Sequence, residues 1–140
     1  MEIRVKRIHD PPEGDDGLRV LVDRLWPRGI RKADAALDAW LPELAPSGEL
    51  RKWYGHDPER WPAFREGYRR ELAERPAGLD DLLARANDGP LTLLFAARDR
   101  ERNNAVVLAE VLRERLQAQG GEVASPTCYA AGFPRYNGLE

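Results

Sequence analysis

The sequence predicts an α/β domain, a single small and mostly parallel sheet covered by helices. Three observations carry that expectation. Leu91 to Ala97 is an uninterrupted apolar run bounded by Pro90 and Arg98-Asp99, the pattern of a central strand covered on both faces. Leu18-Arg19-Val20-Leu21-Val22-Asp23 reads as a second short strand, and the long stretch between the two carries helical periodicity. Strands joined through helices in this way suggest a right-handed parallel crossover.

Taken in order, residues 2–9 alternate Ile3 and Val5 with Arg4 and Lys6, as a half-exposed strand does. Asp10-Pro11-Pro12-Glu13-Gly14-Asp15-Asp16-Gly17 stacks turn formers and acids and reads as a loop. The 18–23 strand runs into Arg24-Leu25-Trp26-Pro27-Arg28-Gly29, where proline and glycine stop the ladder. From about Ala33 to Leu44, Ala36, Leu37, Trp40, Leu41 and Leu44 recur at helical spacing and predict a helix, broken by Pro46-Ser47-Gly48. Leu50, Trp53 and Tyr54 fit a short helix ended by Gly55, and Asp57-Pro58 resembles the start of the next.

Trp61, Phe64, Tyr68 and Leu72 form an amphipathic stripe, and Leu79, Leu82, Leu83 and Ala86 form another, stopped by Asp88-Gly89-Pro90. Trp40, Trp53, Trp61, Phe64 and Tyr68 are read as core aromatics. A last helix begins near Asn103-Asn104, carries Val106, Val107, Leu108, Val111, Leu112 and Leu116, and is expected to end at Gly120-Gly121. The expected domain is 1–119, with an unassigned tail over 120–140 in which Leu139-Glu140 reads as a cloning remnant.

A chain of 140 residues supports one buried core and is short for two ordinary domains. No apolar run approaches the length of a bilayer span, and no apolar stretch follows the N-terminal basic residues as in a secretory signal. Cys128 is the one cysteine, which excludes an internal disulfide and suits a reducing compartment, so the cytoplasm is the expected location. Metal binding needs three or four convergent ligands; no such spacing occurs, and no metal or other cofactor is expected. GxGxxG, P-loop and GxSxG signatures are also missing. A net charge of −2 disfavours a dedicated nucleic-acid module.

In open α/β sheets, ligands bind beyond the carboxyl ends of the strands. Two segments leave such ends: Asp23 to Gly29 and Arg98 to Asn104. If their strands are parallel neighbours, both loops open at one edge. The second loop leads into a helix start, whose unsatisfied N–H groups and dipole favour an anion. Arg98 and Arg102 would add charge, and Asn103 either caps the helix or donates to the anion, beside Asn104. The first loop offers Arg24 and Arg28, whose guanidinium forks suit phosphate and carboxylate, and Trp26 as a stacking platform or a core residue. Asp23 and Asp99 are candidates for a base or for an arginine partner. His56, beside Asp57, is a candidate for acid–base work or a simple turn contact.

The segments Val22-Asp23-Arg24-Leu25-Trp26-Pro27-Arg28-Gly29, Leu50-Arg51-Lys52-Trp53-Tyr54-Gly55-His56-Asp57-Pro58, Thr92-Leu93-Leu94-Phe95-Ala96-Ala97 and Asn103-Asn104-Ala105-Val106-Val107-Leu108 closely resemble the YeaO-like family, a bacterial group within domain of unknown function 488. The resemblance runs from Ile3 to about Leu116. It implies a three-layer fold, Rossmann-like or rhodanese/phosphatase-like, and no settled activity. Related branches carry a cysteine in the loop after the buried strand, similar to the anion cradle of rhodaneses and cysteine phosphatases. Here that stretch, Phe95 to Asn104, has no cysteine, so a thiolate mechanism is excluded. Position 102 is arginine, where the resemblance leads one to expect histidine or a neutral polar residue.

The leading expectation is a protein that binds a small anionic or phosphate-bearing ligand such as a nucleotide, with or without catalysis. Arg28 and Arg98 would neutralise the anion and Asn103 would orient it. Two alternatives are a non-enzymatic module contacting a protein or a nucleic-acid backbone, and a charged network that merely fixes the loops. Substrate identity and oligomeric state are not encoded in any motif.

Overall fold

The computed structural model of the protein describes residues 2–124, with side chains described through residue 118. The expectations for Cys128 and for the segment from residue 125 onward lie outside these residues. Among the described residues, four strands, β1 (Ile3–Arg7), β2 (Leu18–Leu21), β3 (Ala39–Trp40) and β4 (Leu91–Phe95), form one sheet in the order β1-β4-β2-β3. Every pairing is parallel. Ile3 to Arg7 lie opposite Leu91 to Phe95, and Leu18 to Leu21 lie opposite Leu91 to Leu94. β4 is therefore central, and all five of its residues are buried, as its apolar run requires.

Among the described residues, five α-helices accompany the sheet: α1 (Lys32–Ala35), α2 (Gly48–Tyr54), α3 (Trp61–Ala73), α4 (Pro76–Asn87) and α5 (Asn104–Ala124). Alternation along the strands divides the core in two. Val20, Val22, Leu91, Leu93 and Phe95 point to one face, where they meet Tyr68 and Leu72 of α3, Leu79 and Leu82 of α4, and Leu108 and Leu112 of α5. The two predicted stripes are thus the buried faces of α3 and α4. On the other face Ile8, Leu21 and Leu94 pack with Ala35, Trp26, Ile30 and Leu37 from the segment between β2 and β3. The result is three layers, with substantial helices on one side and a short helix within a folded loop on the other. Among the described residues, no helix is long and apolar enough to cross a membrane.

The second face also buries charge. Asp16, fully buried, accepts from Arg19 at 2.6 Å, from Lys6 at 3.0 Å and from the Glu13 N–H at 3.1 Å. The Arg19 guanidinium goes on to donate to the carbonyls of Ala35 and Ala36, closing the end of α1. Thr92 donates its hydroxyl to the Asp16 carbonyl at 2.7 Å. Burial pushes the Asp16 carboxyl up, but the Glu13 N–H, Lys6 and Arg19 outweigh it and hold the group below its ordinary value. Gly17 links this network to β2 with φ of 67°, and its α-carbon lies so close to β4 that a β-carbon would stand 2.1 Å from the Pro90 carbonyl oxygen. Only glycine suits that position.

Three local expectations are corrected. The segment 33–44 is not one helix: α1 has four residues, Ala36 takes a left-handed conformation at φ 52°, and β3 follows. Asp38 accepts from the Arg19 N–H and donates its own N–H to the Arg19 carbonyl, and Leu41 donates to Leu21. The chain thereby gains a ladder on the open edge of β2, and tertiary pairing overrides the helical spacing. Leu37 and Leu44 also pack on opposite faces of the sheet, which one helical stripe cannot do. Trp40 and Trp53 are 37% and 45% exposed rather than core, whereas Phe64 and Tyr68 are buried as expected. Finally, α5 runs through Gly120-Gly121 to Ala124, since glycine weakens a helix without forbidding it.

Candidate functional site

An all-parallel sheet brings the carboxyl ends of β2 and β4 to one edge, and Asp23 stitches them there. Its Oδ2 accepts from the Ala96 N–H at 2.9 Å, and its Oδ1 from the Asn104 amide at 3.2 Å. The same Asn104 nitrogen donates to the Val22 carbonyl at 2.7 Å, and the Trp40 indole donates to the Asp23 carbonyl at 2.8 Å. Asp23 thus ties the exits of β2 and β4 to the first turn of α5. Burial raises its carboxyl above the ordinary range, against the lowering effects of Asn104, the Ala96 N–H and the charge of Arg51.

The start of α5 is built by Asn103, which is 3% exposed. Its side-chain oxygen accepts from the Val106 N–H at 3.0 Å and its amide donates to the Asp99 carbonyl at 2.9 Å. Asp99 shapes the preceding loop: its carboxylate accepts from the N–H groups of Glu101 and Arg102 and pairs with the Arg102 guanidinium at 3.2 Å. Those two N–H groups are the main reason its carboxyl lies below the ordinary value, burial acting against them and Arg102 with them. Among the described residues the N–H groups of Asn104 and Ala105 have no acceptor.

The third wall comes from α2. Ser47 caps it by accepting from the Leu50 N–H, while its own hydroxyl donates to Glu71 at 2.6 Å. Gly55 ends it in a left-handed conformation, and His56 follows with φ of 60°, strained for a residue with a β-carbon. Arg51 and Tyr54, three apart on α2, face the same way. Tyr54 is 6% exposed and its ring stacks on Phe64 with centroids 4.4 Å apart. Burial and the charge of Asp99 raise its phenol. Its hydroxyl has no hydrogen-bond partner among the described residues and is not sealed from solvent.

These walls enclose a cleft of about 310 Å³. Asp23, Arg24, Trp26, His56, Arg102, Asn103 and Asn104, all candidates from the sequence, line it together. Arg28, Arg98 and Asp99 are not among the lining residues; Arg28 and Arg98 are exposed, and Asp99 works as a loop brace. Asp57 accepts from the Glu59 N–H and pairs with Arg60, not His56. Trp26 serves in two places, lining the cleft while its indole donates to the Ile30 carbonyl at 2.7 Å. Arg51, Tyr54, Phe64, Leu25 and Pro46 also line the cleft and are not among the site candidates read from the sequence, Phe64 being read there as core. The available signal was the Arg51 and Tyr54 spacing ahead of the Gly55 stop.

Against known proteins, the model of the inactive DUF488-N3 subclade matches residues 2–130. The chain belongs to the YeaO-like DUF488 family. Within it, the chain is 49% identical to the uncharacterized protein YeaO of Escherichia coli over 113 residues, 81% of this chain and 98% of that protein. It is 43% identical to the uncharacterized proteins Mb3100c of Mycobacterium bovis and Rv3073c of Mycobacterium tuberculosis over 113 residues, again 81% of this chain and 95% of each relative. No solved structure matches the chain. The family assignment agrees with the resemblance drawn from the Trp-Pro-Arg and Tyr-Gly-His segments.

Proposed function

We propose that this YeaO-like protein binds a small anionic, phosphate-bearing ligand in the cleft at the ends of β2 and β4, without turning it over. The observation that carries this reading is the state of the arginines. Arg24 and Arg51 line the cleft, and among the described residues neither has a carboxylate within 4.0 Å, whereas most other arginines are paired. Arg102 adds a third charge, of which Asp99 neutralises part. Arginines from three separate elements, lining one cleft with the first turn of α5, are suited to an anion with several oxygen atoms.

Two findings favour binding over catalysis. The loop after β4 has no cysteine, so the nucleophile of the related branches is missing. The matching family model describes an inactive subclade. His56 and Asp23 line the cleft, but Asp23 already accepts hydrogen bonds at both oxygens, and its part is to hold the strand ends in place.

A thermal-shift screen against orthophosphate, sugar phosphates, nucleotides and carboxylates tests this. A ligand at about a hundred times its dissociation constant stabilises the fold by roughly 2.7 kcal/mol. Arg51→Ala and Arg24→Ala should each abolish most of that shift, while Arg28→Ala, outside the cleft lining, should leave it intact. Loss of the shift in Arg28→Ala with none in Arg51→Ala would place the anion elsewhere.

A further inference from the structure

The cleft holds more apolar wall than a bare anion needs. The lining that carries the cations also includes Leu25, Trp26 and Pro27 from the exit of β2, with Phe64 from α3. Leu25 is 60% exposed at the site, the largest exposure of any large apolar residue among the described ones. Phe64 and Pro27 are already buried, but a phosphate ion alone would leave Leu25 and the exposed part of Trp26 wet. A flat ring attached to it would cover them, and aromatic faces such as Trp26 stack readily on planar rings.

The second observation is Tyr54. Its ring is buried and its hydroxyl, without a partner among the described residues, stays open to solvent, whereas a fully buried phenol pairs internally. Tyr68, on the neighbouring helix, follows that rule by donating to the Leu44 carbonyl at 2.6 Å. Tyr54 does not, and it shares its cleft with Arg51, Arg102 and the first turn of α5. Among the described residues its hydroxyl is a donor with no acceptor, in a cleft that Arg51, Arg102 and the first turn of α5 also line.

We propose that the ligand is a planar ring carrying a phosphate group, and that Tyr54 donates its hydroxyl hydrogen bond to that phosphate while the ring lies against Leu25 and Trp26. The inference rests on the anion-binding reading and narrows its ligand class. A nucleoside monophosphate and a simple aryl phosphate share this chemistry.

Titration calorimetry with orthophosphate, ribose 5-phosphate, adenosine, adenosine 5′-monophosphate and phenyl phosphate separates the possibilities. At least one ring-bearing phosphate should bind about tenfold or more tighter than both orthophosphate and ribose 5-phosphate. Preference for adenosine 5′-monophosphate over phenyl phosphate identifies a nucleotide, and equal affinity identifies the aryl phosphate unit. Tyr54→Phe keeps the ring stack on Phe64 and should weaken binding roughly tenfold, the usual worth of a hydrogen bond to a charged group. Leu25→Ala, at an exposed position, should weaken the ring-bearing ligands and leave orthophosphate unchanged. Equal affinity for all phosphates, lost in Arg51→Ala, overturns the ring inference and leaves the anion site standing. Undiminished affinity in Tyr54→Phe overturns the role of the phenol. No binding by any phosphate overturns both readings.

Discussion

Replacing Asp16 by alanine should destabilise the fold more than any exposed ion-pair change. Asp16 is fully buried, and its carboxylate is the counter-charge of Arg19, itself 4% exposed, at 2.6 Å. Lys6 keeps Glu13 at 3.0 Å after the change, but among the described residues Arg19 has no second carboxylate. An uncompensated buried charge costs about 3–5 kcal/mol, a large part of the 5–15 kcal/mol that holds a typical domain. For a chain of this size that corresponds to a fall in Tm of roughly 10–20 °C. Urea denaturation, read as a midpoint shift at constant slope, measures it.

The double variant Asp16→Ala/Arg19→Met should recover much of the loss, because the charge leaves with its partner. Recovery stops short of complete because the carbonyls of Ala35 and Ala36 lose their donor, at about 1 kcal/mol each. A single-variant loss below about 1 kcal/mol, or a double variant as weak as the sum of the two singles, refutes the reasoning. The network also bears on the cleft. Arg19 fixes the end of α1, and the segment between β2 and β3 carries Arg24, Leu25 and Trp26 to the site.

Gly17→Ala should abolish stable folding or cost several kcal/mol, seen as loss of the cooperative thermal transition, because φ is 67° and the new carbon would overlap the Pro90 carbonyl. Stability should also fall in acid. The Arg100 guanidinium holds the Asp10 carboxyl at about 2, and Asp16 and Asp99 also lie below the ordinary 3.8. Groups lowered on folding stabilise fully above 3.8 and lose that contribution as pH drops toward 2, while Asp23, raised by burial, changes in the opposite sense. A denaturation midpoint that rises between pH 4 and 2 contradicts this assignment.

Strongly patterned elements were legible in the sequence. Leu91 to Phe95 could only be a covered strand, and the stripes of α3 and α4 had a single apolar face each. The segment 33–44 misled because its apolar spacing fits a helix while its partner, the open edge of β2, lies outside any local window. The edge of the sheet where the cleft lies followed from two strand exits and the parallel crossover. Which arginines line the cleft did not follow, since Arg28 and Arg24 look alike in the sequence and differ only in how the loop after β2 folds. Arg51 and Tyr54 reach the cleft from α2, whose packing beside the strand ends depends on contacts far along the chain.

The most direct test of the site is a map of backbone amide shifts in an NMR titration with orthophosphate and adenosine 5′-monophosphate. The largest changes should cluster at Asp23 to Trp26, Arg51 to His56, Ala96 to Ala97 and Arg102 to Val106. Changes spread over Arg28, Arg31 and Arg98, or none at saturating ligand, would contradict an anion site in this cleft.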